Sequence, residues 1–244
     1  MNSAAVLGST RSSPCVTCTH REAGFCSAVF RPPSPEPQDD NNWQHFVSSD
    51  AGTQILAQDK SSDCVFVLCA GWAFRYIQLP NGGRQILQFL LPGEIFTASS
   101  VFEARLHFSV KALTAVQVSG MRRAEVQSRL AANPAVVVAL ANSCSVDAEA
   151  SDKLIAVLGR LSAEERIAYL FLHVMRRLGA RNVIRDHRYP FPLRQQHIAD
   201  AVGLTSVHVS RVVSLFRERG IVELSHGVLT VLNLPELERL GLLN

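Results

Sequence analysis

The sequence predicts an α+β protein: an N-terminal β-roll of jelly-roll type, a long connecting helix and a C-terminal winged helix-turn-helix. Three observations carry that prediction. Short apolar segments alternate with turn residues between 41 and 124. An apolar seam then recurs at helical spacing from Val137 to Leu158. Beyond it, Ala199, Gly203 and Val209 stand at the spacing of two helices crossing at a tight turn. The chain then divides into a cysteine-containing extension (1–40), the β-roll (41–124), the helix (125–159) and the winged unit (160–244).

Composition limits the function classes. With 47% hydrophobic and 18% charged residues, the 244-residue chain can bury substantial cores and is not a disordered tail. No apolar run approaches the ~20 residues of a membrane helix. The opening MNSAAVLGSTRSS lacks a basic start followed by an apolar core. A cytoplasmic protein with no membrane partner is therefore expected. Six cysteines in such a compartment point to reduced thiols, metal ligands or redox groups before structural disulfides.

Residues 1–40 read as an extension. The stretch RPPSPEPQ, Arg31 to Gln38, can form neither a helix nor a central strand, because proline lacks the donor N–H. Ahead of it Cys15, Cys18 and Cys26 follow a C-x2-C-x7-C spacing, with His20 nearby. Two cysteines two residues apart can ligate one metal centre, since the turn points both thiolates the same way. Three thiolates are one short of a tetrahedral set, and the plain alternative is a tail with incidental thiols.

In the β-roll, Cys64–Ala70 and Trp72–Gln78 read as strands. Pro80-Asn-Gly-Gly83 is a hairpin turn, Arg84–Leu91 the returning strand, and Phe108–Val118 one or two more. Cys64 and Cys69 fall inside a strand pattern and are expected to pack as small hydrophobes. Residues 125–158 read as helical with one interruption, a new helix starting at Pro134. Val137, Leu140, Cys144, Ser151, Leu154 and Leu158 fall at heptad a and d positions. Asp147 spoils one d position, while Ala148 and Ile155 broaden the stripe. Such a seam suits a homodimer joined along this helix; the alternative is a seam that packs only on its own domain. Cys144 on the seam reads as packing first and a redox crosslink second.

Ser162-Ala-Glu-Glu165 is a capping box that opens a helix Ala163–Leu178, closed by Gly179. Arg181–Pro192 reads as a polar loop. In the helix-turn-helix, small Ala199 lets the second helix cross closely, and Gly203 takes the sharp turn. The exposed face of that second helix is Thr205, Ser206, Val207, His208, Ser210 and Arg211, the face that would enter a DNA major groove. Arg194, Gln195, Gln196 and the wing are expected on phosphates. Ile221–Leu224 and Val228–Leu232 around Ser-His-Gly227 form the wing. From Gly159 onward the chain has 12 Arg and no Lys against 8 acidic residues, whereas 1–158 carry 12 basic against 13 acidic. The positive excess thus lies with the half expected to meet phosphates.

This order of parts resembles the Crp/Fnr family of bacterial transcription regulators, over residues 43–235. Its specific pieces are Leu91-Pro-Gly-Glu94, Leu161-Ser-Ala-Glu-Glu-Arg-Ile167, Gly203-Leu-Thr-Ser-Val-His-Val-Ser-Arg211 and Gly220-Ile-Val222. The resemblance implies a cyclic-nucleotide-binding-like β-roll and a homodimer on a two-fold-symmetric double-stranded DNA operator. It also implies contact with RNA polymerase. Cyclic-AMP-binding members carry a Gly-Glu pair and an Arg-Ser pair for ribose and phosphate. Here those regions read Phe96-Thr-Ala-Ser-Ser100 and Leu106-His107, so cAMP is not expected.

The N-terminal cysteines resemble those of the oxygen-sensing Fnr branch, which implies an iron–sulfur cluster on Cys15, Cys18 and Cys26. The family's fourth cysteine corresponds to Ser119, a poor iron ligand; Cys64, Cys69 or His20 could supply the fourth. The acidic seam residue of Fnr corresponds to Ser151. The glutamate of its recognition helix corresponds to Val207, while Ser210 and Arg211 are kept. The expectation is a regulator responding to oxygen or redox state. The alternatives are a constitutive or small-ligand-responsive regulator without metal, and a metal-dependent enzyme. Against the enzyme, the sequence has no HExxH, paired CxxC, phosphate loop or nucleophile elbow.

Overall fold

The computed structural model describes residues 15, 18, 24–29, 44–181 and 187–242. The proline-rich 31–38 segment and His20 lie outside the described residues. The first helix, α1 (Gly24–Val29), buries Phe25, Cys26 and Val29. The sequence placed it in an extension, but these three side chains join a core with Val65, Val67, Met121, Val136 and Leu140. An aromatic and a β-branched residue on one face of a short helix are enough to dock it.

Seven strands follow: β1 (Gln44–Ser49), β2 (Gln54–Leu56), β3 (Cys64–Ala70), β4 (Ala73–Gln78), β5 (Arg84–Leu90), β6 (Ser109–Ala112) and β7 (Val116–Arg122). They form two antiparallel sheets, β1-β7-β3 and β2-β6-β4-β5. Between them Leu68, Leu90, Phe96, Leu106, Phe108 and Val110 fill the interior. The β4–β5 turn closes as expected: Gly82 takes φ +83, and the Gly83 N–H donates to Asn81 Oδ1 at 3.0 Å.

A short helix α2 (Arg123–Ala132) meets α3 (Pro134–Arg160) at a bend of 118°. Pro134 stands in the first turn of α3, and the Asn133 side chain caps it by accepting from the Ala135 N–H at 3.0 Å. The 27-residue helix does not use its seam as one surface. Leu140 is buried under α1, Leu154 is half-buried beside buried Val157, and Leu158 faces the Gly203 turn. Leu140 therefore packs on its own chain, while Leu154 and Leu158 stay partly exposed. Asp147 has the same inward aspect: it accepts from Arg75 Nη1 at 3.0 Å and from Gln88 Nε2 at 3.3 Å. Val137, Cys144 and Ser151 lie outward, exposed beside Ala141, Ala148 and Ile155. A straight α-helix drifts ~20° per heptad, so by Leu158 the row begun at Val137 has rotated toward its own protomer.

Helix α4 (Ala163–Gly179) starts on the expected capping box, with the Ser162 N–H donating to Glu165 Oε2 at 2.7 Å. Gly179 is its last residue, but the chain leaves in a right-handed turn at Ala180 (φ −61) rather than the left-handed one expected of a glycine end. The expected loop contains a strand, β8 (Arg188–Pro190). Helices α5 (Gln195–Val202) and α6 (Ser206–Glu218), strands β9 (Val222–Ser225) and β10 (Val228–Val231), and α7 (Leu234–Gly241) complete the chain. The wing sheet runs β8-β10-β9. Its turn puts His226 at φ +50 and Gly227 at φ +74, the double positive φ of a tight hairpin.

One hydrophobic cluster crosses the expected domain boundary. Phe74, Tyr76, Ile86 and Phe89 of the β4–β5 hairpin are continuous with Phe171, Phe191, Ile198 and Phe216 of the winged unit. Among the described residues no single helix is long and apolar enough to cross a membrane.

Candidate functional site

The turn between α5 and α6 fixes the first candidate surface. Gly203 adopts φ +65 and ψ +40, and the helices bend by 105°. Ala199 and Val209 are fully buried where they cross. The Thr205 hydroxyl accepts from the His208 N–H at 3.2 Å and so starts α6. Thr205, Val207, His208 and Arg211 are then exposed, with Ser206 and Ser210 half-buried. Gln195 joins Ser206, Val207, Ser210 and Arg211 in one open groove that continues to Ser214, which the sequence reading did not include.

Arg194 and Gln196 are also exposed, at the start of α5. The Gln196 amide donates to Asp200 Oδ1 at 2.6 Å, so its side chain is tied along the helix. The Arg194 N–H donates to His197 Nδ1 at 3.1 Å. Burial first, and then Arg84 and Arg194, hold the His197 pKa down at about 4. The ring is therefore a neutral acceptor at neutral pH.

The unit is braced from behind. Arg219 Nη1 meets Glu164 at 3.1 Å and Nη2 meets Glu236 at 2.6 Å, joining the end of α6 to α4 and α7. It is also locked to the β-roll. Arg84 Nε lies 2.5 Å from Asp200 Oδ2, and Gln85 Nε2 donates to the Ala201 carbonyl at 3.0 Å. Glu94 receives Arg177 Nη2 at 2.6 Å and Arg181 Nη2 at 2.5 Å. Sequence reasoning missed these contacts. The Leu91-Pro-Gly-Glu94 piece was visible, but its partners lie far along the chain, at the end of α4 and just beyond it.

The cysteines form the second candidate. Cys26 is buried on α1, while Cys15, Cys18 and Cys69 are half-buried. Burial, followed by Cys69, Cys15 and Cys18, pushes the Cys26 thiol up to about 12. Burial, with Cys15 and Cys18, does the same for Cys69, also to about 12. Cys26 and Cys69 thus both lie within electrostatic reach of Cys15 and Cys18. Cys64 stands apart: burial raises its pKa, and its charged neighbours are Asp63, Arg122 and Arg123. The Gln44 amide donates both to Cys15 Sγ at 3.4 Å and to Ser119 Oγ at 2.6 Å. Among the described residues no group of three donor side chains is arranged to hold a metal ion. A donor set of thiols suits a thiophilic centre.

Comparison with known proteins agrees with the order of the parts. Residues 46–133 match the family described as a cyclic nucleotide-binding domain, and residues 165–240 the Crp-like helix-turn-helix domain. The nitrogen fixation regulation protein FixK of Rhizobium meliloti is 33% identical over 175 residues, spanning 71% of this chain and 75% of that one. FixK of Bradyrhizobium diazoefficiens is 28% identical over 229 residues, 93% of each chain. The solved structure of FixK2 from Bradyrhizobium japonicum shares the fold, with TM-score 0.75 at 23% identity over 82% of this chain and 98% of that one. These are similarities to regulators, and they remove the enzyme alternative. With both domains matched in order and a relative one-third identical along most of its length, this chain belongs to the Crp/Fnr family of DNA-binding transcription regulators.

Proposed function

We propose that the chain acts as a homodimer that reads a two-fold-symmetric DNA operator through α6 and responds to oxygen or redox state through metal held by its N-terminal cysteines. The observation that carries the DNA reading is Arg211, exposed on α6 in the groove shared with Gln195 and Ser206. A guanidinium there can donate two hydrogen bonds to guanine O6 and N7, worth about 1–3 kcal/mol of discrimination. Val207, 63% exposed, offers only apolar contact, for example to a thymine methyl. In this reading Arg194, Gln195, Gln196 and the wing touch phosphates and set the register.

The dimer is supported by the outward stripe of α3, where Val137 is 47% and Ile155 70% exposed. Contact with RNA polymerase belongs to the same proposal. The signal is supported by the gathering of Cys15, Cys18 and Cys26, thiols of the kind that hold iron–sulfur clusters. Cyclic AMP has no place in this reading. Phe96, Thr97 and Leu106 are buried in a filled interior, and no arginine follows Leu106 to pair a phosphate.

Selection from a pool of random duplexes tests the DNA reading. The expected product is a palindrome with half-sites about one helical turn apart. Arg211→Ala should keep the dimer and salt-dependent binding to any DNA but lose the selected sequence. An Arg211→Ala protein that still selects the same site would overturn the assignment. Iron and acid-labile sulfide, measured on protein purified without oxygen, test the signal: both should be present, and their absence would leave the cysteines as a tail or a thiol switch.

A further inference from the structure

We propose that Cys69 of β3 is the fourth ligand of a four-thiolate metal site whose other members are Cys15, Cys18 and Cys26. The inference rests on the reading that the N-terminal cysteines hold a metal. It adds the ligand that the sequence resemblance leaves out, because the position to which that resemblance points is Ser119.

The strand register explains how a neighbour can replace Ser119. β3 and β7 pair Val67 with Ser119 and Leu68 with Val118. The ladder then slips, so that Ala70 faces Gln117 and Cys69 becomes the extra residue of a bulge. A bulge re-aims a side chain without breaking the sheet. The Cys69 thiol donates to the carbonyl of Val67, the residue that pairs with Ser119, at 3.8 Å. The Ser119 hydroxyl and the Cys15 sulfur both lie within hydrogen-bond reach of the one Gln44 amide. Cys15 and Cys18 are kept together by the Cys18 N–H on the Cys15 carbonyl at 3.5 Å. Cys26 comes from α1, docked on the same β-roll core as Val65 and Val67 of β3. Three separate segments thus bring their cysteines to the face of the β1-β7-β3 sheet on which α1 docks. Cys64, the other strand cysteine, pairs across to Arg122 and faces charged groups instead of thiols.

Four sulfur donors select zinc or an iron–sulfur cluster over hard cations. Loading would draw the Cys15–Cys18 turn onto Cys26 and Cys69, with release of the thiol protons.

The test uses the full chain, purified without oxygen and reconstituted in parallel with ferrous iron plus sulfide and with zinc. Metal and sulfide per protomer are measured by elemental analysis and visible absorption. Cys69→Ser should lose bound metal as completely as Cys18→Ser, while Cys64→Ser keeps it. Adding Ser119→Cys to Cys69→Ser should restore metal, because the new thiol enters beside the lost one. If Cys69→Ser proves unfolded by circular dichroism, the restored double variant and Cys69→His, which keeps a ligating atom, carry the same contrast. Wild type that loads metal, with Cys18→Ser losing it and Cys69→Ser retaining it, would overturn the Cys69 assignment alone. Wild type that takes up neither iron–sulfur nor zinc would overturn both this assignment and the metal reading beneath it.

Discussion

His197 sits where the β-roll meets the DNA-reading unit, its ring 5.5 Å from Phe74 and its Nδ1 holding the Arg194 N–H. His173 on α4 lies against Tyr169 with ring centroids 5.7 Å apart. Burial above all, helped by Arg177 at His173 and by Arg84 at His197, lowers both to about 4. In the unfolded chain they would titrate near 6.5. Below that value the unfolded state takes up protons that the folded state refuses. Stability should therefore fall as pH drops from about 6.5 toward about 4, with no contribution from these two rings to the slope above this window. Urea midpoints at about pH 7 and about pH 5 would read this, and His173→Gln with His197→Gln should flatten the difference. A midpoint unchanged over that interval in the native chain would contradict the buried, neutral assignment of both rings.

At the scale of elements, α3 has two apolar faces with different owners. Leu140, Asp147, Leu154 and Val157 turn inward, while Val137, Cys144 and Ile155 turn outward. Ile155→Asp should therefore separate the proposed dimer, leaving the fold intact because that side chain touches no core. Sedimentation gives the mass, and the far-ultraviolet dichroism should not change. A dimer that survives Ile155→Asp would move the interface elsewhere. The sequence made this helix visible but not the division of its faces, because periodicity reports a repeat and says nothing of what covers it. The helix-turn-helix was more fully legible, since Ala199, Gly203 and Val209 act on each other within one short window. Strand β8 was hidden: it is three residues long and ends at Pro190. Cys69 was legible only as one of three possible fourth ligands, because the slip in the β3–β7 ladder that sets it apart from Cys64 leaves no trace in spacing.

Across the whole molecule, Glu94 holds the guanidinium groups of Arg177 on α4 and of Arg181 just beyond it, while its own Oε2 also accepts from the Leu91 N–H at 3.1 Å. All three charged side chains are less than one-fifth exposed. Glu94→Gln would strand two cations at the boundary between sensor and reader. The expected cost is on the order of 2 kcal/mol, below the ~3–5 kcal/mol of a fully buried pair that loses one partner. Thermal unfolding should register it, together with weaker protection of α4 amides in hydrogen exchange. An unchanged melting temperature would mean that the Phe74–Phe171 cluster and the Arg84 and Gln85 contacts hold the two domains without Glu94. The same boundary bears on transplantation. A chimera cut at Leu161, carrying the winged half onto a foreign β-roll, would arrive without Arg84, Gln85 and Glu94 to receive Asp200, Ala201, Arg177 and Arg181. The β4–β5 hairpin and the Glu94 turn would have to travel with the DNA-reading half for the graft to take.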